Sequence, residues 1–280
     1  MISFDFEYHK PATIEQAVEL HKSLRAQKKR PIYYTGGTEI TTLGRLNQVK
    51  CGAVIDLKGI PECNILKLQD NQLVMGGGLS FTRLIESNLF PLLSLTIREV
   101  ADHSARSNIT LGGNICGQII YREGVLPLLL TDTQVMFAGD TGINQLPIHQ
   151  LFNRQIQLEE GQFLVQFTTD QSYLQLPYVS IKKRKQGSIG YPLVTVAALK
   201  KDGQIRIAFS GLSSFPFREQ NIEQILNQQQ VALEVRIDQA IRELPYPILD
   251  DVEGTSEYRE FVLRNTMLDI LTALENDGHE

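Results

Sequence analysis

Two glycine pairs follow β-prone stretches of this chain, Tyr34-Thr35-Gly36-Gly37-Thr38-Glu39 and Thr110-Leu111-Gly112-Gly113-Asn114. Consecutive glycines leave backbone N–H groups uncovered, and where a strand hands over to a helix such a turn can wrap a phosphate or pyrophosphate. For either pair alone the bland alternative is a tight turn, because Gly-Gly is ordinary punctuation in a glycine-containing α/β chain. Each pair is bracketed by short polar side chains, Thr35 and Thr38 in the first, Thr110 and Asn114 in the second. Two similar anion-binding turns could hold the two phosphates of one extended cofactor, so a dinucleotide is the expected ligand.

The surrounding pattern supplies the elements. Thr13-Ile14-Glu15-Gln16 has the form of a capping box, and Ile14, Ala17, Val18 and Leu24 then share one helical face, predicting a helix over about 14–26. Ile32-Tyr33-Tyr34, Ala53 to Leu57 and Leu73-Val74-Met75 read as short strands, with helices over 39–46, 82–88 and 92–101. Gln162 to Phe167 is a further strand. Lys182-Lys183-Arg184-Lys185 with Gln186-Gly187-Ser188 is expected to be a basic loop near the start of a second domain. It reads either as a solvated turn or as a phosphate or flavin contact. Leu193 to Leu199 and Gln204 to Phe209, joined through Asp202-Gly203, form a predicted hairpin. Helices follow over 220–228, 232–243 and 256–274, the last with Ser256 as its expected cap and Tyr258, Phe261, Val262, Leu268, Leu271 and Leu274 as its apolar face.

Several function classes lack support. With 280 residues, 42% hydrophobic and 21% charged, the chain can bury a sizeable core, and its net charge of −5 carries no basic run suited to nucleic acid or an anionic membrane. The longest apolar run, Val125 to Leu130, is too short to cross a bilayer. The first residues lack the basic start and apolar core of a secretory signal, so a cytoplasmic protein is expected. Cys51, Cys63 and Cys116 are odd in number and widely spaced, which fits neither a disulfide framework nor a metal-binding pair. There is no GxGxxG, no GxxxxGK[ST], no GxSxG and no HxxxH among the histidines at 9, 21, 103, 149 and 279, so nucleotide-binding folds of the common kinds, hydrolases and metal sites are not indicated.

One ordered set of segments is more selective than any single motif. Gly36-Gly37-Thr38-Glu39, then Val54-Ile55-Asp56-Leu57-Lys58-Gly59-Ile60, then Arg106-Ser107-Asn108-Ile109-Thr110-Leu111-Gly112-Gly113-Asn114 resembles the FAD-binding medium subunit of the molybdenum hydroxylases, the xanthine dehydrogenase and carbon monoxide dehydrogenase type. Ser210-Gly211-Leu212 to Pro216-Phe217-Arg218, and Asp250 with Gly254-Thr255-Ser256-Glu257-Tyr258-Arg259, resemble that family's C-terminal domain. The resemblance implies an α+β fold: a two-subdomain FAD-binding domain of the vanillyl-alcohol oxidase (PCMH) type over residues 1–174, then a smaller α+β domain over 175–280. It carries FAD contacts onto Ile32, Tyr33, Tyr34, Thr35, Gly36, Gly37, Thr38 and Glu39 of the first turn and onto Thr110, Leu111, Gly112, Gly113 and Asn114 of the second. It adds Glu123, where aspartate is usual in the family, and Phe163, Leu164 and Lys182 as further flavin contacts, while Ser107 departs from a frequent asparagine.

By the same resemblance FAD is non-covalent, and iron-sulfur clusters and molybdopterin sit on a small and a large partner subunit. The terminal acceptor is NAD or oxygen, and this chain supplies no catalytic acid or base and no metal ligand. A heterotrimer, doubled, is the implied assembly. Two other readings stay open from the sequence: a stand-alone FAD oxidoreductase on the same fold, and a non-redox assembly module whose flavin site has weakened, motivated by Glu123 and Ser107.

Overall fold

The computed structural model of the protein describes residues 2–187 and 190–276; Met1, Ser188 of the basic segment and His279 lie outside them. The chain forms two compact units. The first comprises Met1–Leu84, His103–Gly117 and Thr133–Asp170, and the second Ile85–Asp102, Gln118–Asp132 and Gln171–Glu280.

In the first unit three short strands, β1 (Glu7–His9), β2 (Pro31–Tyr34) and β3 (Ala53–Asp56), make a parallel sheet in the order β1-β3-β2. Parallel pairing needs a crossover, and the helix Ile14–Ala26 supplies the one between β1 and β2. That helix starts where the sequence predicts: Thr13 Oγ1 accepts the Gln16 N–H at 3.2 Å, and Gln16 Oε1 reaches back to the Ala12 N–H at 2.9 Å. The register Tyr34↔Asp56 puts the chain leaving β2 and the chain leaving β3 on the same edge. Ligands of open parallel sheets gather at that carboxyl edge.

Five more strands build an antiparallel sheet with order β4-β5-β10-β6-β7: β4 (Leu66–Gln69), β5 (Gln72–Gly76), β6 (Gln134–Gly139), β7 (Gly142–Pro147) and β10 (Phe163–Asp170). The strands β8 (Phe152–Asn153) and β9 (Gln155–Ile156) form a separate small ribbon. Ile14, Ala17 and Leu24 of the first helix pack with Ala53 and Ile55 of β3 and Phe163 and Val165 of β10 in one core cluster. Each of the larger of these, the isoleucines, leucine, valine and phenylalanine, contributes about 1.5–3 kcal/mol by leaving water.

The second unit is organised on the antiparallel sheet β11 (Tyr178–Arg184), β12 (Pro192–Lys201), β13 (Gln204–Ser210) and β14 (Phe217–Arg218). The predicted hairpin is present, and Asp202 and Gly203 take φ values of 51° and 76°, as a two-residue primed turn requires. Val194, Val196, Ile207 and Phe209 pack against Leu263, Met267 and Ile270 of the helix Ser256–Glu275. Arg259 of that helix is fully buried; it donates to the carbonyls of Leu193 (2.6 Å) and Gly211 (2.9 Å) and to Asp251 (2.6 Å). The charge that the C-terminal motif contributes is therefore a staple on the ends of β12 and β13.

Four local expectations are corrected. Lys182 to Arg184 are the end of β11, paired through Lys182↔Thr195, because the half-buried strand Tyr178 to Ile181 continues through the basic residues in register with β12. The last helix is capped by Thr255, whose Oγ1 accepts the Tyr258 N–H at 3.2 Å, rather than by Ser256. Tyr258 and Phe261, placed on its apolar face, are 47% and 63% exposed, since Arg259, Leu263, Met267 and Ile270 fill the core side. The second glycine pair does not end a strand: it opens the short helix Leu111–Cys116, with Thr110 making a lone bridge to Ser80. Among the described residues no helix is long and apolar enough to cross a membrane.

Candidate functional site

Beyond Tyr34 the chain turns through Gly36 and Gly37 into the helix Thr38–Arg45. Gly37 is its N-cap, with φ 67°, and offers no capping side chain. A Cβ there would fall 2.0 Å from the Tyr34 ring, and one on Gly36 would fall 1.7 Å from the Asn108 carbonyl oxygen. Both glycines are thus demanded by sterics, Gly37 by its left-handed backbone as well. The N–H groups of Gly36, Gly37 and Thr38 have no acceptor among the described residues. Three consecutive donors at a helix N-terminus, with no internal partner, are an anion site in waiting.

The second turn behaves differently. Thr110 Oγ1 accepts the Gly113 N–H (3.2 Å), the Leu111 N–H donates to Leu79 (3.0 Å), the Gly112 N–H to Gly77 (2.8 Å) and the Asn114 N–H to the Thr110 carbonyl (2.8 Å). The expectation that this turn also offers free N–H groups is corrected: its donors are taken by the Gly77–Leu79 segment and its own cap. Leu111 and Gly112 are buried, and Gly113 is exposed. The turn contributes a side chain instead, because the Thr110 and Thr35 hydroxyls pair at 2.6 Å.

These two turns border a cavity of about 240 Å³. Tyr34, Thr35, Gly36 and Thr110 line it, as do Ser107 and Asn108 just before the second turn. Lys58, which follows β3, enters from the shared sheet edge. Its ammonium donates to the Thr35 carbonyl (2.6 Å) and to Asp56 (2.9 Å), and lies 4.5 Å from the centre of the Tyr34 ring. Asp56 is almost fully buried, which pushes its pKa up. Hydrogen bonds from Tyr8, the Lys58 N–H and the Lys58 ammonium more than offset this and hold the carboxyl below its usual value. The Tyr8 phenol, donating to that carboxylate, is pushed up to about 12.

Ser80 and Arg83 reach the cavity from the stretch after Gly76-Gly77-Gly78. Sequence reasoning assigned neither, nor Lys58. Lys58 had a readable signal in the strand end Asp56-Leu57-Lys58. Arg83 had none, being one exposed arginine on a short helix.

The remaining candidates are placed elsewhere. Ile32 is half-buried in β2, Thr38 is exposed, and the Glu39 carboxylate lies beside Gly117. Tyr33 points away from Tyr34: its hydroxyl donates to the Gly161 carbonyl (3.0 Å), and its ring stacks on His21 (4.9 Å between centres) and meets Phe163 (4.6 Å). Burial raises its pKa. Phe163 and Leu164 are buried in β10, their side chains 3% and 5% exposed. Glu123 and Lys182 belong to the second unit and are brought together there. The Lys182 ammonium donates to Glu123 Oε1 (2.7 Å) and to the Glu99 carbonyl (3.0 Å), with side-chain exposures of 4% and 1% for the pair. Glu123 Oε2 is buried without a partner. Among the described residues no group of three or more His, Cys, Asp or Glu could hold a metal ion.

A family profile described as the FAD binding domain in molybdopterin dehydrogenase matches residues 4–168, more than half of the chain. The chain belongs to this family. Among curated relatives, the nicotinate dehydrogenase FAD-subunit of Eubacterium barkeri is 25% identical over 199 residues, covering 66% of either chain. The carbon monoxide dehydrogenase medium chain of Hydrogenophaga pseudoflava is 25% identical over 172 residues, 59% of each. The similarity therefore spans about three-fifths to two-thirds of those relatives' length. In fold the protein is similar to a chain of the Hydrogenophaga pseudoflava carbon monoxide dehydrogenase that lacks the Mo-pyranopterin moiety, with TM-score 0.88, 20% identity and full coverage of both chains. It is also similar to a chain of quinoline 2-oxidoreductase from Pseudomonas putida 86, with TM-score 0.83, 18% identity and 98% of each chain covered. The expected family and α+β fold are thereby established.

The site fits the family's cofactor. The acceptorless N–H run that begins at Gly36, the Arg83 guanidinium and the hydroxyls of Thr35 and Ser80 form a donor set for a diphosphate. The volume is below the roughly 300–1,000 Å³ of sites that enclose a whole ligand. The cavity thus suits the central part of an extended dinucleotide.

Proposed function

We propose that the chain binds FAD non-covalently and serves as the flavin-carrying, electron-transferring subunit of an oxidoreductase of the molybdenum hydroxylase type. The observation that carries this reading is the run of three acceptorless N–H groups at residues 36–38, which begins at Gly36 on the wall of a cavity bordered by Lys58 and Arg83. Gly36 and Gly37 let the turn pack against the Asn108 carbonyl and the Tyr34 ring, Thr35 and Thr110 hold the two turns together through their hydroxyls, and Lys58 fixes the Tyr34 ring and the end of β2. FAD, when bound, supplies reversible one- and two-electron redox chemistry. The residues of this chain bind and orient, and none is assigned as a catalytic acid or base.

In this reading iron-sulfur clusters and molybdopterin reside on a small and a large partner subunit, and NAD or oxygen is the terminal acceptor. The choice of substrate lies with the molybdopterin-carrying partner, so a xanthine dehydrogenase-like complex is one member of the range. The relatives' own names, a nicotinate and a carbon monoxide dehydrogenase, support that range. The three cysteines are free thiols, which accords with a cytoplasmic setting. Isolation of the tagged chain from its native cell tests the assembly. Two further chains carrying iron and molybdenum, in fixed ratio to FAD, are expected. A flavin-loaded chain that stays alone and turns over a donor by itself would instead establish a stand-alone oxidoreductase.

A further inference from the structure

Of the two cations bordering the cavity, only one is available to a ligand. Lys58 is neutralised by Asp56 at 2.9 Å and held by the Thr35 carbonyl and the Tyr34 ring. Arg83, on the helix Phe81–Ser87, borders the same cavity, and its guanidinium has no ion pair, hydrogen bond or ring contact among the described residues. Only its backbone is engaged, the Arg83 N–H donating to Ser80 Oγ at 3.3 Å. An exposed arginine is ordinarily a solvated surface charge. This one stands at a concave wall that also includes Gly36, the first of the three consecutive residues whose N–H groups lack acceptors among the described residues.

A diphosphate diester carries two negative charges, and neutral N–H groups screen them only in part. A guanidinium fork offers two parallel donors to one phosphate, a geometry that an ammonium cannot reproduce. We propose that Arg83 is the residue that supplies the counter-charge for the ligand's diphosphate and so makes this site select a dinucleotide over a phosphate-free flavin. The inference rests on the reading of the cavity as part of the FAD site. It is separable from that reading because ADP carries a diphosphate, as a monoester, without the flavin.

The test is titration of the full-length apoprotein with FAD, ADP and riboflavin, in wild type, Arg83→Gln, Arg83→Lys and Arg45→Gln. Arg45 is exposed at the far end of the Thr38–Arg45 helix and does not border the cavity, so its variant controls for loss of one charge. Arg83→Gln is expected to weaken FAD and ADP by about tenfold or more, with Arg83→Lys intermediate and Arg45→Gln within about twofold of wild type. Added salt should weaken FAD binding more steeply in wild type than in Arg83→Gln, and riboflavin binding should be the same in both. FAD binding equal in wild type and Arg83→Gln would overturn the role of Arg83 and leave the FAD reading standing. Arg83-dependent binding of ADP without any binding of FAD would support the counter-charge and overturn the FAD reading. Failure of the wild type to bind either would overturn both.

Discussion

At Gly36 an added methyl group would meet the Asn108 carbonyl at 1.7 Å, so the turn that carries the free N–H groups and the segment leading to Thr110 pack closely backbone to backbone there. Gly36→Ala must push the two apart. It is expected to cost about 1–3 kcal/mol of stability and to lower FAD affinity with it, as read by urea unfolding with and without the cofactor. Unfolding at the wild-type midpoint would show that the turn is not packed in this way. Lys182 poses a different problem, because its partner Glu123 is 1% exposed and already has one oxygen without a donor. Lys182→Met leaves that carboxylate buried and unpaired, at an expected cost of about 3–5 kcal/mol. The double variant with Glu123→Gln should recover part of the loss, and a fully additive pair would contradict the contact. Glu123 is thus matched by a long cation within this chain.

The helix Val125–Leu130 is legible in the sequence as an apolar run, without its helical form being readable there. Its six apolar residues stand out in the sequence, but only the fold reveals why so short a helix persists: it is buried all round and its last carbonyls are capped from the sheet. Arg206 donates to the Leu130 carbonyl (2.8 Å) and Arg218 to that of Leu129 (2.7 Å), and both guanidiniums also hold Asp132. Burial pushes the Asp132 pKa up, but the bonds from Arg206 and Tyr173 and the charge of Arg218 outweigh it, so the carboxyl titrates below its usual value. A carboxyl depressed in the folded state contributes stability that is present above its unfolded pKa, about 3.9, and is lost as pH falls through the lower folded value. Asp132→Asn should therefore destabilise the protein at neutral pH and flatten the decline of its stability below about pH 4. An unchanged acid limb would remove Asp132 from the account. Local pattern exposed β2, β3, β5, β10, the Asp202-Gly203 hairpin and the helix over 14–26, but not β1, β4, β6, β7 or β11. It missed the outward turn of Tyr258 and Phe261, because Arg259, a charged residue by composition, fills the core side of that helix.

For the molecule as a whole, the family and the α+β fold were readable because the motifs stand in a fixed order along the chain. The site was readable only in part. Tyr34 to Thr38 announce themselves by composition, and Thr110 by its place beside the second glycine pair. Whether a glycine turn offers its N–H groups or hides them depends on acceptors about thirty residues away, here Gly77 and Leu79, which no local pattern specifies. Lys58 and Arg83 reach the cavity from two other segments, brought in by the parallel sheet edge and by the stretch after β5. The central claim is that this chain carries FAD at the Gly36–Gly37 turn. Its most direct test is the visible absorption spectrum of the purified wild-type chain beside Gly37→Val, with any released cofactor identified by mass. The account predicts one FAD per wild-type chain, free of iron and molybdenum, and none in the folded variant; a folded wild-type chain that is colourless and takes up no added FAD would contradict it.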